Sequence, residues 1–150
     1  MKFDRSSKHL LALTVLVLTL SITSEAVAAG VVSVRDEGHL RFMVGYGSEL
    51  IDGGPAKGTV PGTVRVHFTY NGNPAVTARF TISGSHGSIS GQAHAELNNP
   101  SSPAPSFRGV FTVTGGSGRY ARIHGKGELF GVFTRRGYGL VVQTIGRLHY

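Results

Sequence analysis

Apolar and polar residues alternate along most of the chain from Thr63 onward, and short turn-like segments separate the alternating stretches. In the first stretch, Val64, Val66 and Phe68 alternate with polar side chains. A period of two is typical of a β-strand that buries one face. The connections are rich in Gly, Asn, Pro and Ser, which favour turns. The pattern therefore predicts six consecutive antiparallel strands, at 64–70, 76–82, 88–97, 107–113, 123–133 and 138–150.

The segment before residue 63 has a weaker pattern. The sequences VVSVRD at 31–36 and HLRFMVGY at 39–46 each resemble a short strand, whereas GGPAKGTVPG at 53–62 has the composition of a loop. Two further strands bring the total to about eight, which allows an up-and-down barrel to close without an unpaired edge. We therefore predict an all-β fold, a single antiparallel up-and-down β-barrel of about eight strands. A two-sheet β-sandwich is the alternative.

The turns also predict the strand register, because a slip of one residue would expose the apolar face of a strand. A three-residue turn at 71–73 predicts the pairs Phe68–Val76, Val66–Ala78, Val64–Phe80 and Arg65–Arg79. A four-residue turn at 84–87 predicts the pairs Ile82–Ile89, Phe80–Gly91 and Ala78–Ala93, and the loop at 98–106 leads to the pair Glu96–Arg108.

The stretch from Ser106 to Gly131 combines aromatic rings with glycines on the face predicted to point inward. Either the rings fill the space above glycines of the neighbouring strand, or the glycines leave a cavity open. We expect a mostly filled barrel with a small apolar pocket at one end. The candidate ligand-binding residues of this pocket are Tyr70, Phe107, Phe111 and Tyr138.

Residues 1–28 have the features of a secretory signal peptide. Basic residues precede an apolar run at 10–22, and Ala-Val-Ala at 26–28 fits a signal-peptidase site. The apolar run is too short to span a bilayer. We predict cleavage after this site, a β-barrel domain at 29–150 and no integral membrane span thereafter. The product is expected to be secreted, extracellular or periplasmic, and the absence of cysteine leaves it without disulfides.

One motif carries a resemblance to a known group. The segment V-x-G-G-S-G-R-Y-A at 113–121 is similar to the G-G-T-G-R-Y-A-G signature of bacterial secreted proteins in the allene oxide cyclase barrel-like and dirigent-like group. The resemblance covers roughly residues 53–150 and departs from the group at Arg122-Ile123-His124. It implies an eight-stranded barrel that guides cyclisation or radical coupling of an apolar substrate without a redox cofactor. It assigns no catalytic residue in this chain.

No cluster of residues predicts catalysis or metal binding, and no cofactor is expected. The histidines show no metal-ligand spacing, and His67 and His94 are interpreted as solvent-exposed. The segment Gly115–Gly118 is a turn and not a phosphate-binding loop, because no Lys-Ser or Lys-Thr pair follows it. Asp36 and Asp52 are assigned to loops. The inward face is therefore predicted to carry no acid or base.

These observations leave two hypotheses for the function. The first is a secreted, non-catalytic barrel that binds a small apolar ligand or a surface partner. The second is a cofactor-free isomerase or cyclase, which the resemblance implies. The absence of an inward-facing ionisable group favours the first hypothesis. The formal net charge is +7 with scattered basic residues, so nucleic-acid binding is not expected. The outer face of the barrel is available for oligomer formation.

Overall fold

The computed structural model describes residues 30–69, 74–134 and 139–150, which form a closed, eight-stranded antiparallel β-barrel. Each strand pairs with the next along the chain and the last pairs with the first, so no strand edge is left open. The strands are β1 (Val31–Tyr46), β2 (Glu49–Gly58), β3 (Gly62–Thr69), β4 (Ala75–Gly84), β5 (Gly87–Asn98), β6 (Ser106–Gly116), β7 (His124–Thr134) and β8 (Gly139–His149). The predicted up-and-down barrel is confirmed, and the β-sandwich is excluded.

The predicted signal peptide lies outside the described residues and stays a prediction. Within the part of the chain that the structure describes, no helix is long and apolar enough to cross a membrane.

The first two strands differ from the prediction. One long strand, β1, replaces the two short ones, and most of the expected loop at 53–62 belongs to β2. Gly54 is required there because a Cβ atom would collide with the backbone of His39 on β1. Pro55 faces outward, and the β1–β2 ladder is interrupted beside it, since proline has no N–H to donate. Both residues resemble a loop in composition, yet here they belong to a curved strand.

The β3–β4 register is two residues away from the predicted one. Val66 pairs with Phe80, and Phe68 pairs with Ala78. Among the described residues, the last pair of this hairpin is Thr69 with Thr77. A shift of two preserves which side chains face inward. It removes the predicted Arg65–Arg79 pair, however, and places His67 opposite Arg79.

The other predicted registers are confirmed. Strands β4 and β5 pair Ile82 with Ile89, Phe80 with Gly91 and Ala78 with Ala93, and strands β5 and β6 pair Glu96 with Arg108. Aromatic rings do lie over glycines. A Cβ atom added to Gly91 would lie 2.7 Å from Cζ of Phe80, and one added to Gly127 would lie 2.6 Å from Cε1 of Phe111.

The connection between β6 and β7 fills one end of the barrel. It contains a 3₁₀ helix at Gly118–Tyr120, and Gly118 adopts a φ of 58°, which a glycine accepts without steric cost. Tyr120 and Ile123 are buried in the core at this end, together with Val113 and Leu148. The Arg-Ile-His segment, which departs from the dirigent-like pattern, thus supplies an apolar side chain to the core.

Candidate functional site

An elongated cavity of about 530 Å³ occupies the interior of the barrel. All eight strands contribute to its lining, and among the described residues its polar members are Asp36, Glu37 and Thr144. The cavity extends from the end filled by the β6–β7 connection to the opposite end, where Leu97 and Phe133 line it. It therefore exceeds the small pocket at one end that the sequence led us to expect. Its volume suits one small organic molecule.

Two of the four predicted binding residues line this cavity. Phe107 and Phe111 both face the lumen, and Phe111 packs edge-to-face against Phe80 with ring centroids 6.3 Å apart. Tyr70 and Tyr138 lie outside the described residues. The two phenylalanines belong to the aromatic and aliphatic wall that any occupant of the lumen would contact.

Asp36 lies on the inward face of β1 and is only 8% exposed, which corrects its assignment to a loop. Its Oδ1 accepts a hydrogen bond of 2.8 Å from the backbone N–H of Val60. Burial raises the pKa of this carboxyl group, and the backbone N–H groups of Val60 and Thr59 partly oppose that rise. Asp36 thus joins β1 to the β2–β3 connection and also borders the cavity close to its cross-strand neighbour Thr144.

Asp52 is the second inward carboxyl group and is 1% exposed. It shares its face of β2 with Leu50 and Ala56, which line the cavity, and its cross-strand partners are Phe42 and Val66. Its Oδ2 is buried without a hydrogen-bond partner, and burial raises its pKa to about 6. The prediction of an inward face without ionisable groups was therefore wrong.

A single signal in the sequence could have located both carboxyl groups. Asp36 follows Val34 at a spacing of two, and Asp52 lies two residues after Leu50 and four before Ala56. Each aspartate therefore continues an alternating inward set. Their polarity and the neighbouring glycines made a loop the more natural interpretation.

Glu37 borders the cavity but does not direct its charge inward. Its carboxylate contacts the His39 imidazole and accepts a hydrogen bond from the Gln143 side chain. The hydrogen bond with His39 is the main cause that lowers the pKa of Glu37. Among the described residues, no group of three histidine or acidic side chains could hold a metal ion. No family model matches this chain, and neither the curated proteins nor the solved structures include a match to it.

Proposed function

We propose that this barrel binds a small, elongated apolar ligand within its lumen. The observation that carries the proposal is the cavity of about 530 Å³, whose described lining residues are apolar except for three. Small-molecule sites in proteins are concave, mostly apolar and furnished with a few polar groups. An occupant would remove apolar surface from water, which contributes about 25 cal/mol per Å².

The geometry also favours entry of the ligand at one end of the barrel. The buried side chains of Tyr120 and Ile123 fill one end of the barrel, so the ligand enters at the other end, near Leu97 and Phe133. A narrow apolar molecule then contacts the rings of Phe107 and Phe111 along its length.

A second candidate function is a cofactor-free isomerase or cyclase, which the resemblance to the dirigent-like group implies. The observation in its favour is Asp36, a largely buried carboxyl group that borders an apolar cavity. Such a group can hold or accept a proton near a bound ligand. The second candidate requires the first, because the ligand must bind in the lumen before any proton can move.

Titration with the uncharged fluorescent probe N-phenyl-1-naphthylamine tests the binding proposal. Ala95 and His94 are neighbours on β5, and only Ala95 lines the cavity. We expect Ala95→Phe to weaken probe binding at least about tenfold, or 1.4 kcal/mol. The matched variant His94→Phe should bind like the wild type, and thermal melts confirm that both variants fold. The proposal fails if the folded wild-type protein does not bind the probe or if both variants bind it equally.

The enzymatic candidate has a separate readout. Mass spectrometry of purified protein identifies any molecule retained in the lumen, and that molecule is then incubated with fresh protein. Isomerisation changes its chromatographic retention at constant mass. We expect Asp36→Asn to abolish such a conversion while probe binding persists. Conversion that is unchanged in Asp36→Asn would exclude the carboxyl group from the chemistry.

A further inference from the structure

The outer face of the barrel carries a continuous row of polar and basic side chains. The register of strands β3 to β8 places six residues directly opposite one another in succession, and we name them the basic row: His67, Arg79, Gln92, Thr112, Lys126 and Arg147. Neighbouring strands are about 4.8 Å apart, so the row is about 24 Å long. It contains no acidic residue. The sequence shows these residues only as scattered positions, and the closed sheet brings them together.

The charges of the basic row are not neutralised within the fold. Arg79, Lys126 and Arg147 are exposed, and in the described part of the chain none of the three side chains forms an ion pair or a hydrogen bond. Lys126 lies directly opposite Arg147, an arrangement of like charges that destabilises a sheet. Among the contacts that the structure describes, His67, at one end of the row, is the member that meets a carboxylate, that of Glu49 at 3.1 Å. This arrangement does not stabilise the fold, but it would stabilise a bound anionic ligand.

A groove forms part of the same surface. It has a volume of about 580 Å³ over β3–β6, and Arg79, Gln92 and Thr112 of the basic row line it. Thr77 and Thr114 also line it, as do the exposed Val110 and Glu49, whose carboxylate contacts His67. The groove therefore offers one guanidinium group, which suits a carboxylate or sulfate. Around that group lie an amide and several hydroxyls that can bind other hydroxyl groups.

We propose that the basic row binds an extended acidic polysaccharide. Arg79 and Lys126 are about 14 Å apart, three strand spacings, with the uncharged Gln92 and Thr112 between them. The matching ligand carries anionic groups at intervals along a chain that is otherwise rich in hydroxyls. The row contains no Phe, Tyr or Trp ring on which a nucleic-acid base could stack, and none of its six side chains is apolar, as insertion into a membrane would require.

Calorimetric titration of the purified protein with two polyanions tests this proposal, with polygalacturonate as the carboxylated probe and heparin as the sulfated one. We expect binding to at least one probe and none to neutral dextran. Raising NaCl from about 50 mM to about 300 mM should weaken binding at least about tenfold, because salt screens exposed charges. The probe that binds with the higher affinity identifies whether the row prefers carboxylate or sulfate groups.

Single-charge variants show whether binding depends on the row or merely on net charge. We expect Arg79→Gln and Arg147→Gln each to weaken binding about three- to fivefold, as loss of one exposed ion pair does. Arg41→Gln removes the same charge from β1, outside the row, and should change the affinity less than about twofold. All three variants should bind the apolar probe like the wild type, so this result is separate from that on the lumen.

Three outcomes would overturn the proposal. One is the absence of salt-sensitive binding to both polyanions. Another is an equal loss of affinity in Arg41→Gln and in the row variants, which would indicate non-specific attraction to a basic protein. The third is tighter binding to a single-stranded oligonucleotide or to phosphatidylserine vesicles than to either polysaccharide.

Discussion

Two parts of the barrel wall place different kinds of side chain toward the interior. On β6 and β7 the rings of Phe107 and Phe111 lie against Gly131 and Gly127, so that large and absent side chains alternate across the sheet. On β1 and β2, by contrast, Asp36 and Asp52 occupy inward positions that an apolar residue would normally take. The first arrangement maximises packing. The second retains two polar groups where burial is costly.

The two aspartates also differ from each other. Asp36 has a partner in the backbone N–H of Val60, whereas Oδ2 of Asp52 has none. A buried carboxylate with hydrogen bonds can serve the fold, but an unpartnered one lowers stability when it ionises. We call β6 and β7 the aromatic–glycine wall and β1 and β2 the carboxyl wall. The first is expected to lose stability when a ring is removed, while the second should respond differently at its two aspartates.

The largest effect is expected on the aromatic–glycine wall, from Phe111→Ala. This substitution removes a ring that contacts Phe80 and lies against Gly127. Phe→Ala in a filled core costs about 3–5 kcal/mol, and we expect a loss of about 3 kcal/mol because the ring borders the cavity on one side. Urea denaturation measures the loss. A value below about 1 kcal/mol would mean that the ring contributes little packing.

On the carboxyl wall, Asp52→Asn is expected to stabilise the protein above pH 6. The folded-state pKa of Asp52 is about 6, raised from an ordinary value of 3.8. The folded protein therefore holds this proton more tightly than the unfolded chain does. The resulting stability is fully present below pH 3.8 and is lost as the pH rises through 6.

The measurement is the free energy of unfolding of both proteins at about pH 4, 5, 6 and 7. The wild type should lose up to about 3 kcal/mol more than Asp52→Asn between pH 4 and pH 7, at 1.36 kcal/mol for each unit of pKa. Asp36 lowers the free energy of unfolding of both proteins as the pH rises, because its folded-state pKa is raised too. Parallel stability curves for the two proteins would show that Asp52 has an ordinary pKa when folded.

The register of a strand pair could be predicted where the sequence alternates clearly and the turn is short. Strands β4 and β5 alternate clearly, and the short turn at 84–87 leaves one register that keeps Phe80 over Gly91, so this pairing was predicted correctly. The β3–β4 register was wrong by two residues, since alternation fixes which face is buried but does not fix the length of a connection.

The carboxyl wall was predicted wrongly although both aspartates continue an alternating inward set, because turn-like residues obscure that pattern. In β2 the sequence Asp52-Gly-Gly-Pro55 has the composition of a turn, and only closure of the barrel makes it a strand. The basic row could not be predicted for a related reason. Its members lie on different strands, and a register error between β3 and β4 is enough to separate His67 from Arg79.

A smaller change in stability should distinguish a glycine in close contact with its neighbours from one with free space around it. The Cβ of Gly91→Ala would collide with the backbone oxygen of Thr112 on β6 and lie 2.7 Å from Cζ of Phe80, so both the neighbouring strand and the ring must move. We expect a destabilisation of about 1–3 kcal/mol through overpacking. Gly115→Ala is the control, because the nearest atom to its Cβ is 3.9 Å away. It should be neutral or stabilising by at most about 1 kcal/mol. Equal melting temperatures for the two variants would contradict the close packing of Gly91 against β6 and the ring of Phe80.

The smallest effect is expected at Asp36. Replacement by alanine leaves the buried backbone N–H of Val60 without its acceptor, and a lost partner of this kind costs about 1–2 kcal/mol. Asp36→Asn keeps an acceptor oxygen at the same position and should restore most of that loss at neutral pH, because the amide carries no charge to desolvate. Chemical denaturation of both variants gives the comparison, and hydrogen exchange at Val60 should accelerate only in Asp36→Ala. If the two variants are equally unstable, the charge of Asp36 and not its hydrogen bond is what holds the β2–β3 connection to β1.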